Sequence, residues 1–111
     1  MEENQIFQIM KNNKLIRKFE QISINMPKRV LKLTGFVFEK NSKEYLEIII
    51  FRGFSSSTTH EIETDLEKNV LNIDFVLTKG ELLEGPISVI KENKIRENQD
   101  IKMFLNESYW K

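Results

Sequence analysis

The residues with the most chemical potential lie in one run, Arg52-Gly53-Phe54-Ser55-Ser56-Ser57, where three hydroxyls follow a guanidinium and a glycine. A strand that turns sharply into a helix at such a glycine can present a nucleophilic serine. That elbow needs a second glycine, however, and here Ser57 stands in its place with no apolar helix behind it. Two readings stay open. The hydroxyls cap exposed amides where an internal strand leaves the sheet, Gly53 permitting the bend. Alternatively, backbone and hydroxyls cradle an anion with help from Arg52. Arg52, Gly53, Ser55, Ser56 and Ser57 are the candidate binding residues, and no residue is assigned a catalytic role.

Other chemistries find less support. His60 is the sole histidine and cysteine is absent, which excludes thiolate metal sites, disulfides, iron–sulfur clusters, cysteine nucleophiles and multi-histidine centres. Glu61, Glu63, Asp65 and Glu67 alternate without the glycine turn of a calcium loop and read as a solvated face. No phosphate-binding loop, dinucleotide fingerprint or zinc-protease motif occurs. The expectation is a chain without cofactor or metal. Phe36, Phe38, Phe51 and Phe54 could stack bases, as in sheet-based single-strand binders, but at strand spacing core positions are the better reading. Trp110, the single tryptophan, either folds back over the sheet, which is preferred, or waits for a partner.

The elements that must position these residues follow from periodicity. Ile6, Ile9, Met10, Ile16, Phe19 and Ile22 share one helical stripe and predict a helix from about Glu2 to Gln21. Polar Lys11-Asn12-Asn13-Lys14 leaves room for a break in it, and Pro27 stops its continuation. Arg29 to Glu39 and Tyr45 to Phe54 read as two strands of an antiparallel hairpin joined by Lys40-Asn41-Ser42-Lys43. In the second strand Leu46, Ile48 and Ile50 share one face, and Tyr45, Glu47, Ile49 and Phe51 the other. Both faces are apolar enough for a central position.

After Gly53-Phe54 an irregular surface excursion is expected to about Asn69, then strands at Val70 to Lys79 and Ile87 to Lys91 punctuated by Gly80 and Glu84-Gly85-Pro86. Ile101, Phe104, Leu105 and Tyr109 predict a terminal helix from about Gln99 to Ser108 behind Asp100. The expected fold is α+β, with a small antiparallel sheet of three to five strands and a helix at each end. It forms one domain over residues 1–111, with a helical region at 1–25, the sheet at 29–91 and a C-terminal helix at 98–111.

Charge and composition narrow the partners. Lysine plus arginine and aspartate plus glutamate each number 17, giving net charge zero and no overall pull towards nucleic acid or anionic lipid. The distribution is uneven: ten basic against six acidic residues through Gly53, then seven against eleven. This reads as complementarity between neighbouring elements, with a basic face at Arg17, Lys18, Lys28, Arg29 and Lys32 as the functional alternative. The longest apolar run, Ile48-Ile49-Ile50-Phe51, falls far short of the roughly 20 residues that span a bilayer. No membrane span is expected. Acidic Met1-Glu2-Glu3-Asn4 does not read as a targeting peptide. Abundant lysine, asparagine and isoleucine with no alanine suggest an AT-rich genome, such as that of an organelle.

Ile49-Ile50-Phe51-Arg52-Gly53-Phe54-Ser55-Ser56-Ser57 resembles a family of short, uncharacterised proteins from cyanobacteria and chloroplasts, in which an apolar strand ends in phenylalanine, a basic residue and Gly-Phe-Ser-Ser-Ser. There a helix and a strand precede the motif, and an aspartate-bearing strand with a Gly-Pro turn follows, as Asp74 and Gly85-Pro86 do here. The likeness spans about half the chain. It implies a photosynthetic lineage and a place in the plastid stroma, organelle-encoded, or in cyanobacterial cytoplasm; it implies no activity. The functional expectation is a non-catalytic binding or accessory protein of a larger assembly, with a protein partner. The alternative is a small nucleic-acid-binding module using the basic N-terminal half and the sheet aromatics.

Overall fold

Apolar residues at alternate positions of adjacent strands can be buried together only if the strands pair in the register that stacks them on one side. In the computed structural model β1 (Arg29–Glu39) pairs antiparallel with β2 (Ser42–Phe51), setting Leu31 opposite Ile50 and Leu33 opposite Ile48. On its other side β1 pairs antiparallel with β4 (Phe75–Glu84), setting Leu31 opposite Leu82 and Val37 opposite Phe75. The short strand β3 (Phe54–Ser57) adds to β2 and β5 (Asn93–Asn98) adds to β4. The sheet runs β3-β2-β1-β4-β5, antiparallel throughout. Residues 3–39, 42–59, 75–86 and 93–111 are described, with backbone alone for 3–11 and Glu39.

One helix, α1 (Glu3–Asn25), lies on the face that carries the stacked apolar residues. Phe19 is fully buried and Ile16 nearly so, with Leu15, Ile22 and Met26 half-buried against Leu31, Leu33, Leu46, Ile48 and Ile50. The predicted stripe is thus observed at Ile16, Phe19 and Ile22; the side chains of Ile6, Ile9 and Met10 lie outside the described set. The helix runs four residues past Gln21, and the polar stretch at its middle does not break it. Asn12 is buried there and its Nδ2 donates to the Phe75 carbonyl at 2.5 Å, so the polar turn is anchored to β4.

The C-terminal helix expected at 98–111 is corrected. Two short 3-10 turns, Ile101–Leu105 and Glu107–Trp110, occupy that region. Asp100 caps the first by accepting from the Lys102 N–H, and Asn106, in extended conformation, caps the second by accepting from the Ser108 N–H. Side chains that bond their own neighbouring amides compete with continuous helix, and here Asn106 interrupts it. The turns still pack what the helical spacing singles out, with Ile101, Leu105 and Tyr109 half-buried against the core. Phe104 and Trp110 are fully buried, and Trp110 does fold back, its Nε1 donating to the Phe104 carbonyl at 2.7 Å. The Phe104 ring occupies the space above Gly80, where an added Cβ would approach it to 2.6 Å. Gly80 therefore sits inside β4 as a socket for that ring and does not punctuate the strand.

Other boundaries shift as well. The second strand begins at Ser42 and ends at Phe51, not Phe54, and the segment after Gly53 is a strand where an irregular excursion was expected. Expected strand residues 70–74 and 87–91 lie outside the described residues, as do His60, the acidic run at 61–67 and Asp74.

Leu46, Ile48 and Ile50 are at most 1% exposed. Replacing Ile48 or Ile50 with alanine should therefore destabilise the fold by about 2–5 kcal/mol. Urea denaturation measures it, and unchanged midpoints in both variants would contradict this core.

Candidate functional site

A two-residue hairpin joins β2 to β3, and such turns fit the twist of their strands when both central residues have positive φ. Phe51 pairs with Phe54, leaving Arg52 (φ 49°) and Gly53 (φ 89°) at the tip. Glycine adopts this conformation freely, whereas a left-handed arginine costs of order 1 kcal/mol. The Arg52 side chain is held from two directions: its Nε donates to the Pro27 carbonyl at 3.1 Å, and its guanidinium lies 4.7 Å from the Phe51 ring centroid.

The candidate residues divide by what they touch. Gly53 N–H donates to Ser23 Oγ at 2.8 Å, and Ser23 in turn donates to the Glu20 carbonyl at 2.6 Å. Ser55 Oγ donates to a Glu20 carboxylate oxygen at 2.7 Å. Gly53 and Ser55 thus tie the β3 edge to the last turns of α1. Ser56 is exposed opposite Ile49, while Ser57 accepts from the Thr59 N–H at 3.3 Å. Ser55 faces α1 and Ser56 the opposite side, so the hydroxyls do not converge on one point. Nor does a helix follow Gly53, so the strand-to-helix elbow is absent from this segment.

The sheet's second face, opposite the α1 side, carries features that periodicity alone assigned to the core. Phe36 pairs with Tyr45 on β2 and Val76 on β4, and Phe38 pairs with Lys43. Phe38, Tyr45 and Val76 are 45, 51 and 46% exposed, and the Lys43 ammonium lies 4.1 Å over the Phe36 ring. Phe36 and Phe51 are only half-buried, and Phe54 is 74% exposed. The expectation of four core phenylalanines is therefore corrected: their alternation is real, but it places them on the face away from α1.

A charged band crosses the same face. Lys32 pairs with Glu47 at 3.5 Å. Glu81, only 8% exposed at its side chain, receives Lys79 and Lys94, each at 3.1 Å, and both lysines also reach Glu97, at 3.7 and 2.8 Å. Burial pushes the Glu81 carboxyl upward, but hydrogen bonds from Lys79 and Lys94, together with their charges, outweigh it and hold the group below the ordinary glutamate range. The alternative, a basic face at Arg17, Lys18, Lys28, Arg29 and Lys32, is not assembled, and Lys28 is exposed just before β1. Arg17 and Lys18 are exposed on α1, Arg29 Nε donates to the Trp110 carbonyl at 2.9 Å, and Lys32 is in the neutralised band.

A cavity of about 590 Å³ opens between α1, the start of β4 and the first 3-10 turn, lined by Asn12, Leu15, Phe75, Leu77, Asp100 and Lys102 among others. Its one carboxylate, Asp100, is engaged with the Lys102 N–H. Among the described residues no cluster of histidine and carboxylate side chains is arranged to hold a metal ion, and no helix is long and apolar enough to cross a membrane.

A family model described as a domain of unknown function matches residues 16–107, from Ile16 of α1 through all five strands to the start of the second 3-10 turn. No curated protein and no solved structure matches the chain.

Two outcomes test this geometry. Ser55→Ala removes a bond to a carboxylate and should lower stability by about 1–2 kcal/mol, whereas Ser56→Ala should stay within about 0.5 kcal/mol of wild type; equal effects in denaturation would refute the division. Because folding depresses the Glu81 carboxyl, its stabilisation is present above the ordinary glutamate range and is lost as pH falls through the lowered value. Glu81→Gln should accordingly destabilise the protein at neutral pH, with the gap to wild type closing in acid. A gap independent of pH would contradict the assignment.

Proposed function

The chain belongs to that family, DUF7734, and on this premise we propose that it is a non-catalytic binding or accessory protein of a larger assembly, taking a protein partner on the Phe36, Phe38, Tyr45 and Val76 end of its second sheet face. The observation that carries the reading is the exposure of Phe38, Tyr45 and Val76 on one face around Phe36, which pairs with both Tyr45 and Val76, while the α1 face has its apolar side chains buried. Aromatic side chains grouped in this way supply much of the energy of protein interfaces, and contiguous apolar exposure on a surface marks such contacts. The partner is a protein with an apolar surface to lay against these rings.

The charges weigh against a nucleic acid. On the second face the described lysines are Lys32, Lys43, Lys79 and Lys94, and three of these four are paired with Glu47, Glu81 and Glu97. Lys43 alone accompanies the aromatic end, and a single phosphate contact contributes little affinity. The basic residues of the N-terminal half are spread over α1, the C-terminal turns and the neutralised band. The Phe-Arg-Gly-Phe-Ser-Ser-Ser motif supports a photosynthetic lineage, and with it a place in the plastid stroma or in cyanobacterial cytoplasm.

Phe38 and Tyr45 are exposed enough to change without loss of the fold, so the double variant Phe38→Ser, Tyr45→Ser should melt within a few degrees of wild type. It should also lose the protein that cross-links to the wild-type chain in extract of the native organism. Retention of the same protein by both chains would contradict the proposal. So would binding of a single-stranded oligonucleotide at near-physiological salt that the double variant abolishes.

A further inference from the structure

The two most exposed large apolar side chains among the described residues are Phe54, at 74%, and Ile24, at 61%. They flank the same turn from opposite sides, Ile24 from α1 and Phe54 with its pair Phe51 on the second sheet face. Ile24 packs so closely on the Cα of Gly53 that an added Cβ would sit 2.8 Å from its Cγ1, and Phe54 follows Gly53 in the chain. At the tip stands Arg52, an exposed cation in a conformation that asparagine or glycine adopts more readily. Its Nε is engaged with the Pro27 carbonyl and its guanidinium rests near the Phe51 ring, which fixes the group in place. The two terminal amino groups have no partner among the described residues. Lys28, next to Pro27, is likewise exposed with no carboxylate at ion-pair distance among those residues.

We infer that this hairpin tip, with Arg52 and Phe54 grouped about Phe51 and Lys28 beside Pro27, docks an acidic segment of a partner protein, with one carboxylate received by Arg52 and an adjacent apolar side chain covering Phe54. Charge complementarity selects the occupant. A guanidinium held at Nε presents its outer amino groups as a fork, and a carboxylate is the side chain that meets a fork with two bonds. Holding the fork in advance reduces the side-chain ordering that binding must impose. Arginine and large aromatics are also the types that dominate interface energies. The tip lies at the opposite end of β2 from Tyr45, so its use does not depend on the aromatic end of the second face.

Peptide display on the full-length chain provides the test, with a random peptide library as the probe and Arg52→Asn as the comparison. Asparagine accepts the left-handed conformation, which offsets the lost bond to the Pro27 carbonyl, so Arg52→Asn should melt within a few degrees of wild type, which separates the loss of a contact from the loss of the fold. Peptides enriched on wild type should share an aspartate or glutamate beside an apolar residue. They should bind Arg52→Asn about ten- to hundredfold more weakly, Phe54→Ser more weakly as well, and the Phe38→Ser, Tyr45→Ser variant unchanged. Several results would overturn the inference: no enrichment, enriched peptides without acidic residues, equal binding to Arg52→Asn, or displacement of the peptides by inorganic phosphate or single-stranded RNA. Self-association that Arg52→Asn abolishes would make the occupant a second copy and overturn it as well.

Discussion

Strand β1 is shared between two antiparallel ladders, and its register in both decides which side chains face α1 and which face away. Leu31, Leu33 and Val37 are buried because Ile50, Ile48, Leu82 and Phe75 are brought level with them. Since side chains alternate with period two, a slip of one residue in either ladder would exchange the two faces. Gly35 marks how tightly the second ladder is closed. The register shifts between Thr34 and Gly35, and at Gly35 the β4 backbone comes so near that an added Cβ would lie 1.9 Å from the Val76 carbonyl oxygen. A side chain there would force β1 and β4 apart at their bulge, with the aromatic end of the second face just beyond it.

The polar bonds have a different distribution from the apolar burial. Around the core they tie together segments far apart in sequence: Asn12 to β4, Ser23 and Glu20 to the β3 hairpin, and Arg29 to the Trp110 carbonyl. On the second face, lysines and glutamates satisfy one another across four strands. Such a band costs desolvation and adds little net stability by itself, but breaking one member leaves a half-buried charge exposed to the others. It also separates the exposed aromatics at one end of the face from Val30 and Phe51, which close on Gly85, at the other.

Periodicity and turn chemistry made much of this legible. The limits of β1 and the inward set Leu46, Ile48 and Ile50 follow directly from alternation among β-branched and aromatic residues. Strand β3 was not legible because its serines carry no hydropathic signal; they are strand because β2 offers a free edge after a two-residue turn. The start of β2 was hidden for the same reason, since Ser42, Lys43 and Glu44 are exposed yet paired with Glu39, Phe38 and Val37. The phenylalanines were misread because alternation shows that residues share a face but not whether another layer covers it. Arg52 and Gly53 were picked out by type. The neighbours that give them meaning, Ser23 and Ile24 at the end of α1 and Pro27 just after it, stand about 25–30 residues earlier in the chain, and such long-range contacts are not local sequence signals.

The socket at Gly80 reaches beyond this one chain. The Phe104 ring fills the volume that any side chain at position 80 would need, and the same ring meets Tyr109 edge to face with centroids 5.0 Å apart. Positions 80 and 104 are therefore not free to drift separately. Among relatives that share this architecture, a residue larger than glycine at the first position should be accompanied by a smaller one at the second, so the two columns of an alignment would change together across the gap of sequence between them.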